Sequence, residues 1–170
     1  MPSWAPGHVL RLTADGDGRA IGRALGSCGY MMMRGQRPPI ARWPDDPAGA
    51  ADETGATRLD PRAVVWDAYG ADLALAALLP GVRYEPVPRH AEEFVLRITD
   101  DAGSWACVLY VAGDVDYTVH QAGARSLWDE VYDAYMRWMS WGRPGRERFG
   151  ITVDSGGLRV WLDSPSGGVG

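Results

Sequence analysis

Residues 123–163, GARSLWDEVYDAYMRWMSWGRPGRERFGITVDSGGLRVWLD, constrain the fold more than any other stretch of the chain. Ser126 and Asp129 have the spacing of a capping box, and Asp129 with Glu130 places negative charge where the helix dipole favours it. At about 100° per residue, Leu127, Val131, Ala134, Trp138 and Trp141 line one stripe, and Trp128, Tyr132, Tyr135 and Met139 line a second beside it. Asp129, Asp133, Arg137 and Ser140 take the remaining face. The pattern predicts a helix over about 125–141, stopped by Gly142 and then Pro144. Two β-rich runs, 149–153 and 158–162, flank Asp154-Ser155-Gly156-Gly157 and predict a hairpin over 149–162. In its second arm Leu158, Val160 and Leu162 alternate with Arg159, Trp161 and Asp163. The expected buried face is that of the two leucines and the valine, with the first helical stripe as its cover.

Upstream, 8–13 and 19–25 read as strands around the turn Gly16-Asp17-Gly18, and 28–33 as a third. The Pro-, Ala-, Gly- and Asp-rich stretch 37–57 has no sustained period and reads as a surface loop. Residues 63–66 suggest a short strand, and 71–79 a short helix stopped by Pro80 and Gly81. Pro86 and Pro88 make 84–92 the expected internal seam. Beyond it, 94–98, 104–111 and 115–120 read as strands, the first two joined by Asp100-Asp101-Ala102-Gly103. Strands first, then a helix and a hairpin, point to an α+β fold: a mostly antiparallel sheet packed on one long amphipathic helix. With 170 residues, one domain spanning 1–170 is the expectation.

Several functions are excluded at once. The net charge is −5, which leaves no basic excess to meet phosphates, so neither nucleic acid nor a membrane surface is an expected partner. All 17 basic residues are Arg, which removes Schiff-base and P-loop lysine chemistry. No apolar run is long enough to span a bilayer. Cys28 and Cys107 are too few for a disulfide framework; both are expected as buried, reduced thiols in a cytoplasmic protein.

Four groups of residues carry candidate chemistry. The second helical stripe (Trp128, Tyr132, Tyr135, Met139) and the loop arginines Arg143, Arg146 and Arg148 form a candidate substrate-binding set. Aromatics supply contact area, and guanidinium forks hold carboxylates in bidentate fashion. The alternative is that the aromatics are core and the arginines a solvated loop. Asp114, Asp116 and His120 would share one face of a strand and offer oxygen and nitrogen ligands to a divalent metal; the competing assignment is a solvated strand face. Cys28 among small residues, or His120, would be the centre of a small hydrolase, although no partner base is identifiable for Cys28. Finally, Gly16 to Gly22 approximates a glycine-rich nucleotide loop, but its third glycine falls one place late and a tight hairpin turn is favoured.

Four segments taken in order, CGYMMMRG (28–35), DLALAALLPGV (72–82), GSWACVLY (103–110) and SLWDEVYDAYMRWMSWGRPGRERFGITVDSGGLRVWLDSP (126–165), resemble the C-terminal region of actinobacterial proteins similar to protein-L-isoaspartate O-methyltransferases. Those enzymes use S-adenosylmethionine to methylate a carboxylate of a ribosomally made precursor peptide. None of the four segments is a catalytic motif. The resemblance implies that the chain begins where the catalytic domain ends, and that S-adenosylmethionine is bound by a separate domain acting in cis or in trans. The role implied here is a non-catalytic accessory one in natural product biosynthesis: recognition of the precursor peptide, by the aromatic and Arg surface or by strand addition. A stand-alone binding protein without a methyltransferase role is the alternative.

Overall fold

A computed structural model describes residues 8–27, 43–65 and 70–169. In chain order the elements are β1 (His8–Ala14), β2 (Ala20–Ser27), α1 (Pro47–Ala50), β3 (Glu53–Thr57), α2 (Pro61–Val65), α3 (Ala71–Leu78), β4 (Arg83–His90), β5 (Glu93–Thr99), β6 (Trp105–Val111), β7 (Tyr117–Ala122), α4 (Leu127–Ser140), β8 (Phe149–Asp154) and β9 (Gly157–Leu162). They build two antiparallel sheets with helices, an α+β fold. The chain divides into two compact units: 1–34, 69–80 and 134–170 in the first, 35–68 and 81–133 in the second.

The first unit holds the sheet β1-β2-β8-β9. Gly16 and Gly18 adopt positive φ in the turn between β1 and β2, and the Asp15 carboxylate accepts the Asp17 N–H. The Gly16 to Gly22 stretch is therefore a strand-to-strand hairpin, with Gly22 already paired to Leu12. The second hairpin turns at Ser155-Gly156, where Asp154 accepts the Gly156 N–H, as its sequence predicts. Its buried face differs from the expected one. Leu158 is exposed, while Val160 and Trp161, on opposite faces, are both buried. Trp161 lies across its register partner Gly150, donates its indole N–H to Thr152 Oγ1 at 3.1 Å, and carries the Arg23 guanidinium 4.7 Å above its ring. A large ring over a glycine outweighs a simple alternation of leucines. The outer edge of β9 is closed by the chain's own tail, since Leu162 and Val160 bond to Gly167 and Val169.

In the same unit α3 buries Ala71, Leu73, Ala74, Leu75 and Ala76, which explains why its apolar run has no polar face. The Asp72 carboxylate works at its N-terminus: one oxygen accepts the Gly70 and Leu73 N–H groups, the other takes His8 Nε2 at 2.6 Å. At the far end of α4, Gly142 and Arg143 adopt positive φ, and Trp138 donates its indole N–H to the Pro144 carbonyl. Gly142 and Pro144 thus end the helix as the sequence indicates.

The second unit holds the sheet β3-β7-β6-β5-β4. Three expectations change here. The end of the 37–57 loop is ordered: Asp46 caps the short α1, and 53–57 is the edge strand β3 paired with β7. Residues 61–65 are helix, not strand; Pro61 begins α2 and Asp60 accepts the Arg62 N–H, a start signal that overrides the β-branched pair Val64-Val65. Residues 83–90 are the edge strand β4, where proline is tolerated because an outward N–H is not needed by the ladder. The Asp100 turn is held by its own carboxylate, which accepts the Ala102 and Ser104 N–H groups.

The N-terminus of α4 is anchored in this unit by Gln121 of β7. Gln121 is buried; its amide oxygen accepts the Trp128 N–H at 3.1 Å, and its amide nitrogen donates to Glu53 and Asp129, each at 3.1 Å. The cap expected from Ser126 is supplied instead by a strand neighbour, with Asp129 as its orienting partner. Arg125 braces the same turn through Glu130, with Asp100 3.5 Å away. Among the described residues no helix is long and apolar enough to cross a membrane.

Candidate functional site

The aromatic and Arg set does not form one surface. Trp128 is 3% and Tyr135 8% exposed, so both are core, whereas Tyr132 and Met139 are exposed. Arg143 is exposed and stacks over Trp138 at 5.6 Å. Arg148 already holds a carboxylate in bidentate fashion, Asp163, at 2.8 and 2.7 Å; this fork keeps the Asp163 carboxyl below the usual carboxylate range. Arg146 is half-buried in the turn before β8. The chemistry expected of the loop arginines is thus partly spent inside the molecule.

Asp114 and Asp116 precede β7 and do not share a strand face with His120. Asp116 pairs with Arg58, and His120 Nδ1 meets Thr54 Oγ1 at 2.9 Å. Among the described residues no group of three or more metal-ligating side chains converges. Cys28 and the strand expected over 28–33 lie outside the described residues. Cys107 is buried in β6, and burial pushes its thiol pKa up, the opposite of what a nucleophile needs.

Two features emerge that sequence reasoning missed. The first is the edge of the four-stranded sheet. β1 pairs with β2 on one side and with no strand among the described residues on the other. Val9 and Leu12 on β1 are exposed, as is Leu25, the extra residue of the bulge where the register shifts between Val9 and Leu10. Arg11 lies directly opposite Arg23. Arg23 is committed to the carbonyls of Glu147, Arg148 and Asp163, whereas the exposed Arg11 guanidinium has no partner among the described residues. The first unit carries nine Arg against six Asp and Glu, the second eight against sixteen, so the basic part of an acidic chain is the part with this edge. A charge count by segment would have hinted at it; the pairing itself is a long-range property.

The second is a hollow of about 370 Å³ in the second unit, at the β4–β5 turn, lined by Arg62, Pro88, His90, Glu92, Glu93, Phe94 and Tyr110, with Ala91 and Ala112. Tyr110 is stacked between Phe94 (5.0 Å) and Tyr117 (5.7 Å), with the Arg62 guanidinium 4.6 Å over its ring. Arg62 is also forked onto Asp60, at 3.0 and 2.6 Å. Burial pushes the Asp60 carboxyl up, but the bonds from Arg62 outweigh it and the net shift is downward.

Fold and edges together define an α+β protein of two antiparallel sheets, one with an edge strand, β1, that has no second strand neighbour among the described residues. Compared with models of known protein families, with curated proteins and with solved structures, the chain matches none.

Proposed function

We propose that the chain is a peptide-binding module whose ligand is an acidic segment added as a strand along β1. The observation that carries this reading is the β1 edge: backbone groups that pair with no strand among the described residues, exposed Val9 and Leu12, and Arg11, which has no partner among the described residues, in the basic unit. Of the other edges, β9 is closed by 167–169, β4 lacks donors at Pro86 and Pro88, and β3 has only five residues with little apolar surface. Main-chain bonds would supply affinity, and Arg11 the preference for a carboxylate on the incoming strand. The resemblance to isoaspartyl-type peptide O-methyltransferases extends the reading to an accessory role, in which the chain presents a precursor peptide to a separate domain holding S-adenosylmethionine.

The test is fluorescence anisotropy with a labelled eight-residue peptide alternating valine and aspartate. The expected result is saturable binding, weakened about tenfold by Arg11→Glu and abolished when alternate peptide nitrogens are methylated. Equal binding of the methylated peptide, or of an asparagine version, refutes strand addition with carboxylate readout. A calorimetric titration with S-adenosylmethionine is expected to give no heat beyond dilution; saturable binding would make the chain itself the enzyme.

A further inference from the structure

We infer that the hollow at the β4–β5 turn is a second binding site, for a positively charged side chain with an apolar stem, of the arginine type. It is independent of β1 and of the opposite charge preference. Its lower wall is apolar and aromatic: Pro88, Phe94 and Tyr110, with Ala91 and Ala112 beside them. Its rim carries Glu92 and Glu93, whose carboxylates have no hydrogen bond or ion pair among the described residues, and His90. The one cation in the lining, Arg62, is neutralised by its fork on Asp60, so the rim is left with an excess of negative charge.

Arg62 also shows what the wall accepts. A guanidinium lying 4.6 Å over Tyr110 and clasped by a carboxylate is the geometry that a cation–aromatic–carboxylate site requires, built here from the chain's own residues. A second cation entering beside it meets the same aromatic row and the two rim carboxylates. The sixteen carboxylates of this unit, against eight Arg, favour its approach over longer range. A divalent metal is the less suitable occupant, because no three ligating side chains converge among the described residues.

The probe is N-acetyl-arginine amide, followed by NMR shifts of backbone amides, with the citrulline analogue as neutral isostere and free L-arginine as the small-molecule comparison. The expected result is saturable shifts at Glu92, Glu93 and Ala112, with the citrulline analogue about tenfold weaker. Glu92→Gln combined with Glu93→Gln should remove the discrimination between the two. Ala112→Trp, which fills the hollow and leaves the carboxylates in place, should remove binding of both. Tighter binding of the capped amide than of free arginine assigns the site to a peptide residue, and the reverse to a free amino acid. Equal affinities for arginine and citrulline probes, unchanged binding by the Gln variant, or shifts mapping elsewhere overturn the inference.

Discussion

Gln121→Leu isolates the contribution of one buried amide to the start of α4. The substitution keeps the side chain's approximate volume and removes three hydrogen bonds: Trp128 N–H to the amide oxygen, and the amide nitrogen to Glu53 and Asp129. Losing a helix cap costs about 0.5–2 kcal/mol. Bonds to charged groups contribute about 1.5–3 kcal/mol each when fully buried. Glu53 and Asp129 are exposed, however, and recover much of that from water. The extra apolar burial of leucine returns roughly 1 kcal/mol. The net expectation is a loss of about 2 kcal/mol, which at a urea dependence of about 2 kcal/mol/M lowers the midpoint by about 1 M. Far-UV circular dichroism against urea at pH 7 measures it. Gln121→Glu supplies the internal control. It keeps an acceptor for the Trp128 N–H but sets a third carboxylate beside Glu53 and Asp129, so its pKa in the folded state is raised above the unfolded value. Its stability is then full below about pH 4.3 and lost as pH rises through that raised value, so the Glu variant should recover on acidification while the Leu variant does not. A Leu variant within about 0.5 kcal/mol of the parent, outside the 0.5–2 kcal/mol of a working cap, would refute the assignment of Gln121 as the anchor.

Gly150→Ala places a methyl group where the Trp161 ring lies, and should cost about 1–3 kcal/mol with a red shift in tryptophan emission as the indole leaves Thr152; unchanged emission and stability would mean that the ring does not depend on the glycine. On the alkaline side, burial raises the pKa of both the Cys107 thiol and the Tyr117 hydroxyl. Stability from these groups is full below their ordinary values, about 8.5 and 10, and falls as pH rises beyond them. Urea midpoints measured from pH 7 to 11 should therefore decline first with the thiol, and Cys107→Ala should remove that first step; a profile flat to pH 11 would contradict the burial.

What was legible in the sequence is what repeats over several turns or sits in a local turn code. α4 has fourteen residues of unbroken periodicity, and the Asp154 hairpin and the Pro80 stop are written within four residues of where they act. α2 was misread because Val64 and Val65 weigh as strand formers, although Asp60-Pro61 directly ahead of them is a helix start; the local cap wins because it satisfies the first free N–H groups. β3 gave no signal because an edge strand of ETGAT buries only its last residue, and without a buried face there is no alternation to see.

Long-range contacts were less legible because their partners are far apart in the chain. His8 and Asp72 are 64 positions apart, Gln121 and Glu53 68, and Arg23 reaches carbonyls more than 120 residues away. Sequence places Trp128 and Tyr135 on the same helical stripe as Tyr132 and Met139, yet the first pair is core and the second exposed, because a stripe wider than the surface it covers must leave one margin in solvent. Arg148 shows the same limit for charge. The sequence reading gives its guanidinium a carboxylate of a peptide substrate; in the structure it forks onto Asp163, brought alongside by the β8–β9 hairpin. An arginine that finds an internal partner, as Arg148 does, has less of its charge available to a ligand than an exposed one such as Arg11, which has no partner among the described residues.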